Sequence, residues 1–135
     1  MKRLLPALML VIAAAALLGA CGPSSQAPST NINVTMTDFE YSPRTFMVPA
    51  GQTITFHASN NGAVEHTFVI MNLGTQVVDK FSDADLANVY WQTKLGPGES
   101  QTQTFTAPAV PGEYQVVCDT PGHFQAGMFA KLIVK

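Results

Sequence analysis

The chain has 135 residues, 47% of them hydrophobic and 12% charged, with two cysteines. That length supports one domain with a real core and is too short for two ordinary ones. Nine acidic residues stand against seven basic ones, a formal charge of −2, which argues against a nucleic-acid partner.

Residues 1–20 read as an export signal. Lys2 and Arg3 form a positive start, Leu4 to Leu18 form an apolar stretch broken only by Pro6, and the stretch ends in small residues. Its end, Leu18-Gly19-Ala20-Cys21, resembles the lipobox of bacterial lipoproteins. That resemblance implies cleavage before Cys21, lipid on its thiol, and a protein anchored at the periplasmic or extracellular face of a bacterial membrane. An ordinary secretory signal and an uncut anchor are the alternatives, although the apolar run is shorter than the roughly 20 residues of a comfortable span. Each route delivers the domain to an oxidising compartment. With Cys21 lipidated, Cys118 is the one thiol left, and a lone cysteine in an exported protein points to metal binding. Loss of Lys2 and Arg3 leaves five basic residues against nine acidic ones.

Residues 21–30 are uncharged and rich in Gly, Pro and Ser beyond the cysteine, the composition of a flexible tether, and a domain is expected over 31–135. Ile32, Val34 and Met36 alternate as in a strand with one buried face. Phe46 and Val48 follow, then a turn at Pro49-Ala50-Gly51-Gln52, then Ile54, Phe56 and Ala58 before the Asn60-Asn61-Gly62 turn. Phe68 and Ile70 continue the period. Phe81 to Thr93 departs from it: Ser82 can cap a short helix carrying Leu86, Val89 and Tyr90, a helical insertion around 82–93 lying over the sandwich, with Trp91 as packing. A turn at Leu95-Gly96-Pro97-Gly98-Glu99 leads to the strand Ser100 to Thr106. Pro111-Gly112 leads to Tyr114, Val116 and Cys118 on one face, and Leu132 and Val134 lie in a final strand. Short strands punctuated by turns, without βα alternation, predict an all-β antiparallel sandwich.

The chemistry concentrates in Cys118-Asp119-Thr120-Pro121-Gly122-His123-Phe124-Gln125-Ala126-Gly127-Met128. A thiolate, an imidazole and a thioether suit copper, which in blue-copper sites takes two histidines and a cysteine in a plane with a weak axial methionine. The second histidine is His57 or His66. His57 sits in mid-strand, whereas His66 follows a turn at the start of a strand and is the better ligand; His57 is left as an ordinary strand residue.

With His66 in Glu65-His66-Thr67-Phe68-Val69-Ile70, and Cys118, His123 and Met128 each separated by four residues around Pro121-Gly122-His123, the chain resembles the cupredoxin family over about residues 31–135. It is most like the auracyanin and azurin members. The resemblance implies a Greek-key β-sandwich holding one type 1 copper through His66, Cys118, His123 and Met128. It also implies an electron port at the exposed edge of His123, rimmed by Pro121, Phe124, Ala126 and Gly127. A proline placed one position later than Thr120 leaves Thr120 an N–H to offer the Cys118 sulfur beside that of Thr67, and two such donors would raise the reduction potential. Thr67 stands where the family usually has asparagine, and Glu65 is an unusual charged neighbour.

The function expected is one-electron transfer by a monomer between redox proteins such as a c-type cytochrome or a membrane complex. Four protein ligands leave no open position for a substrate, which disfavours an enzyme. A copper-handling protein for an oxidase is the alternative; it would favour exposed, exchangeable ligands, and Met36, Met47 and Met71 form no such cluster. An interaction module would be expected to lose ligands.

Overall fold

The computed structural model describes residues 26–135; Cys21 and the expected signal segment lie outside them. Among the described residues the chain forms nine strands: β1 Asn31–Thr37, β2 Glu40–Ser42, β3 Thr45–Val48, β4 Thr53–Asn60, β5 His66–Met71, β6 Val89–Leu95, β7 Ser100–Thr106, β8 Gly112–Val117 and β9 Phe129–Val134. In β1 and β4 every second residue is buried, Ile32, Val34 and Met36 in one and Ile54, Phe56, Ala58 and Asn60 in the other. This period of two turns one face of each strand to the core.

Two sheets enclose that core, one ordered β2-β1-β4-β7 and the other β3-β9-β8-β5-β6. Most pairs are antiparallel, but β1 runs parallel to β4 and β3 parallel to β9. The sandwich is therefore mixed rather than wholly antiparallel. After the β1–β2 hairpin the chain crosses to the second sheet as β3 and returns as β4, and that excursion is the crossover a parallel pair requires.

All six residues of β5 are buried. Phe68 and Ile70 face the main core, while Val69 and Met71 join Val77 and Val117 in a second cluster. Phe81, Val89 and Phe124 pack against this cluster from its margins. The segment between β5 and β6 is clipped onto β8 by Gln115: Val77 N–H donates to Gln115 Oε1 at 2.7 Å, and Gln115 Nε2–H donates to the Val77 carbonyl at 3.0 Å. The expected insertion thus does lie over the sandwich, but its helix is only a 3₁₀ segment, Asp83–Asn88. Ser82 opens it, donating its N–H and hydroxyl to Asp85 Oδ2 at 2.8 and 2.7 Å.

Val89, Tyr90 and Trp91 belong instead to β6, where Val89, Trp91, Thr93 and Leu95 are the more buried set. A period of two outweighs the weak helical signal, and pairing with β5 satisfies the backbone. Trp91 stacks on Phe105 at a centroid distance of 4.6 Å and meets Phe56 edge-on at 5.2 Å. Its indole therefore fills the gap between the sheets. At the other end, Ser29 N–H donates to the Met47 carbonyl at 2.9 Å and the Thr30 carbonyl accepts from Thr55, so the sheet captures the last two residues of the expected tether.

Phe68 is the hub of the core, with the rings of Tyr41, Phe46 and Phe56 at 5.4, 5.4 and 4.8 Å. Replacing Phe68 by alanine should lower the stability of the metal-free domain by about 3–5 kcal/mol, read as a fall in the urea midpoint. An unchanged midpoint would show that the two sheets do not depend on this ring.

Candidate metal centre

His66 is the first residue of β5 and Cys118 the first residue after β8, and these two strands are antiparallel neighbours. The loop from Cys118 folds back to β9, with Met128 immediately before that strand. Its backbone is self-bonded: His123 N–H donates to the Thr120 carbonyl at 3.0 Å, Met128 N–H to the His123 carbonyl at 3.0 Å, and Cys118 N–H to the Met128 carbonyl at 3.2 Å. Gly122 and Gly127 occupy left-handed backbone positions, φ +86° and +100°, that allow so short a loop to close.

The result is a buried convergence of donors. His66 Nδ1 and His123 Nδ1 are 3.1 Å apart, and His123 Nδ1 is 3.5 Å from Cys118 Sγ. All three atoms lie within 4.8 Å of one another. Two imidazole nitrogens bound to one ion at about 2.0–2.1 Å, at angles of about 100–120°, would stand roughly 3.1–3.6 Å apart, so the donors fit a shared ion. Two imidazoles and a thiolate in this arrangement match a single type 1 copper site. Met128 is fully buried in the same core cluster as Cys118.

The sulfur accepts the backbone N–H of Thr67 at 3.5 Å. The Thr67 hydroxyl is also 3.5 Å from the sulfur, but it lies 2.8 Å from Asp119 Oδ1 and accepts Asp119 N–H at 2.9 Å. A hydroxyl has one proton, and the shorter, charge-assisted bond takes it. Thr120 does not join these donors in the structure; its hydroxyl donates to the Glu65 carbonyl at 3.2 Å. Of the two expected N–H donors, that of Thr67 is the one recorded on the sulfur among the described residues. Tyr41, buried beneath the site, donates its hydroxyl to the Thr67 carbonyl. Burial first, then the negative charges of Cys118 and Asp119, push its phenol well above the usual range and keep it protonated.

The turn before His66 is built on Asn60, which is fully buried. Its side chain donates to the Val64 and Leu95 carbonyls at 2.8 and 3.0 Å and accepts Gly62 N–H at 2.9 Å. His66 Nε2 lies 3.2 Å from Asp38 Oδ1. Donation to that carboxylate fixes the Nε2–H tautomer and leaves the Nδ1 lone pair facing the other donors.

Of the expected rim, Pro121 and Ala126 are exposed while Phe124 and Gly127 are half-buried. Phe124 turns toward the outer cluster and lies 5.8 Å from the Phe129 ring. His123 itself is only 6% exposed, and Phe39 packs edge-on against it at 5.1 Å. Asp38, Phe39, Asn60 and Asp119 were not singled out by sequence. Asp119 adjoins a ligand and could have been weighed, but nothing local connects Asp38 or Phe39 to residues so distant along the chain. His57 is bonded across the sheet, its Nδ1 2.9 Å from Thr102 Oγ1, and takes no part in the centre.

Burial, and next the neighbouring His66, push the His123 imidazole below the ordinary histidine range, against an upward pull from Asp38. An unfolded histidine titrates near ~6.5 and so takes up its proton before the folded one. The metal-free domain should therefore lose stability as pH falls from about 6.5 toward the depressed folded value. His123→Gln should flatten that part of the thermal-midpoint profile; an unaltered profile would count against the neutral, buried imidazole.

The family described as "Cupredoxin-like domain" matches residues 9–134. The copper-resistant cuproprotein CopI of Rubrivivax gelatinosus is 30% identical over 124 residues, covering 87% of this chain and 73% of that protein. Auracyanin-B of Chloroflexus aurantiacus is 34% identical over 93 residues, covering 58% of this chain but only 39% of its own length. Among solved structures, dithionite-reduced auracyanin from Roseiflexus castenholzii superposes with a TM-score of 0.69 at 35% identity, over 81% of this chain and 99% of that one. The match along nearly the whole sequence, together with the buried histidine–cysteine–histidine triad, shows that this chain belongs to the cupredoxin family.

Proposed function

We propose that the protein is a one-electron carrier using a mononuclear copper held by His66, Cys118 and His123, with Met128 as the weak axial ligand. The observation that carries this is the convergence of three buried donors within 4.8 Å at one end of a rigid sandwich. Bound there, copper would supply the Cu(II)/Cu(I) couple. The protein's own part is to hold the ligands still: two are at the ends of paired strands, and the loop carrying His123 is closed by its own backbone bonds. A donor set that barely moves keeps the reorganisation accompanying electron transfer small. The Thr67 N–H on the sulfur favours the reduced state, with less help than two donors would give.

Electrons would pass at the surface nearest His123, where Pro121 and Ala126 are exposed and Phe124 and Gly127 are partly covered. The partners would be a c-type cytochrome or a membrane electron-transfer complex, met by a monomer. A lipid on Cys21 would hold the domain at the outer face of the membrane, with residues 21–30 as the tether. Among the described residues no helix is long and apolar enough to cross a membrane. The role is that of a carrier, not an enzyme, in keeping with the family.

Copper handling is the second reading, favoured by the name of the copper-resistant relative. The complete burial of His66, Cys118 and Met128 supports the carrier, because enclosed ligands suit retention better than exchange.

Loading the protein with Cu(II) should give an intense thiolate-to-copper band toward the red end of the visible and a reversible one-electron couple. Cys118→Ser should abolish the band, while Met128→Leu should keep it and raise the potential. A colourless copper complex would rule out the carrier, and a Met128→Leu protein with unchanged potential and spectrum would rule out the axial assignment. In bacteria producing the full chain, Cys21→Ala should move the protein from the membrane to the soluble fraction. An unchanged distribution would rule out the lipid.

A further inference from the structure

The β1–β2 connection carries two side chains that the ligand set does not explain. Thr37 pairs with Glu40, so the loop consists only of Asp38 and Phe39. Phe39 has φ +69°, a region that bulky residues avoid and where glycine or asparagine would be at ease. Such strain persists where surrounding contacts over-determine it, and it gathers at functional sites.

Here the contacts are with both histidines. The Phe39 ring meets that of His123 at 5.1 Å and 78°. Asp38 Oδ1 is 3.2 Å from His66 Nε2 and also accepts Ala63 N–H at 3.0 Å. The approach needs Gly62: a Cβ there would stand 2.6 Å from His66 Nε2 and nearer still to Asp38 Oδ1. His66 is completely buried, whereas the Asp38 side chain is 43% exposed, so the bond bridges the interior and the solvent.

We propose that Asp38 is a positioning and potential-setting residue of the copper centre, an inference that rests on the electron-carrier reading above. Its carboxylate holds Nε2 protonated and aims Nδ1 at the metal, as carboxylates behind metal-bound histidines do. Its negative charge also stabilises the more positive oxidised state, opposing the Thr67 N–H on the sulfur and lowering the potential. Exposure screens that charge, so the contact acts on ligand orientation mainly through its hydrogen bond.

The two roles separate by substitution in the copper-loaded full chain. Asp38→Asn keeps an acceptor for His66 Nε2–H and Ala63 N–H and removes only the charge. Its potential should shift upward while the visible band stays in place and copper retention against a chelator is kept. Asp38→Ala removes the acceptor as well, and retention should fall by about 10–100-fold. Equal potentials in the wild type and Asp38→Asn overturn the electrostatic role. Equal retention in the wild type and Asp38→Ala, or a loss that asparagine does not restore, overturns the positioning role. Should Asp38→Ala fail to fold, shown by its metal-free melt, the Asp38→Asn potential and retention decide alone. A wild-type protein without the visible band would instead overturn the carrier reading, before any variant is compared.

Discussion

Two imidazole nitrogens and a sulfur, each offering an electron pair, are crowded within 4.8 Å inside an apolar sandwich, and the surrounding structure holds them there. Without a cation the crowding is unfavourable, because like-oriented lone pairs repel and buried polar atoms have left water. The backbone confines it. His66 is fixed by the ladder of β5, Cys118 follows its neighbour β8, and the return loop is bonded to itself before β9 begins. Around these donors the polar network closes: among the described residues no other buried side-chain nitrogen or oxygen lacks a hydrogen-bond partner. A satisfied network of this kind rigidifies and specifies a single arrangement.

The centre also ties the two sheets together. Its histidine–cysteine–histidine triad belongs to the five-stranded sheet and its final loop, but several of the groups that brace it come from the four-stranded one. Tyr41 in β2 reaches across to the Thr67 carbonyl, Asp38 in the β1–β2 turn reaches His66, and Phe39 covers His123. Asn60, at the end of β4, shapes the turn that delivers His66. The end of the sandwich is thus braced from both sides, as suits a site whose work is to change charge without changing shape.

Much of this was visible along the chain. Alternation at Ile32, Val34 and Met36, and again at Ile54, Phe56 and Ala58, marked strands because burial on one face depends only on the period of two. The cysteine, histidine and methionine of the last loop could be grouped because they are neighbours in sequence, and His66 stood out by its place after a turn. Val89 and Tyr90 are strand where a helix is expected, because Ser82 and the acidic residues after it resemble a helix start, and the partner strand that claims them is not local. The Thr120 hydroxyl turns to the Glu65 carbonyl, and the backbone N–H on the sulfur is that of Thr67.

The chemical identity of the donors and the faces of the strands follow from composition and short-range period, so they can be read without coordinates. Which donor meets which, and what stands behind it, depends on segments brought together from far apart. Asp38 lies 28 residues from His66, and Thr67 lies 51 residues from Cys118. Folding alone made these neighbours, because hydrogen bonds and ring contacts act over a few ångströms in space and take no account of distance along the chain.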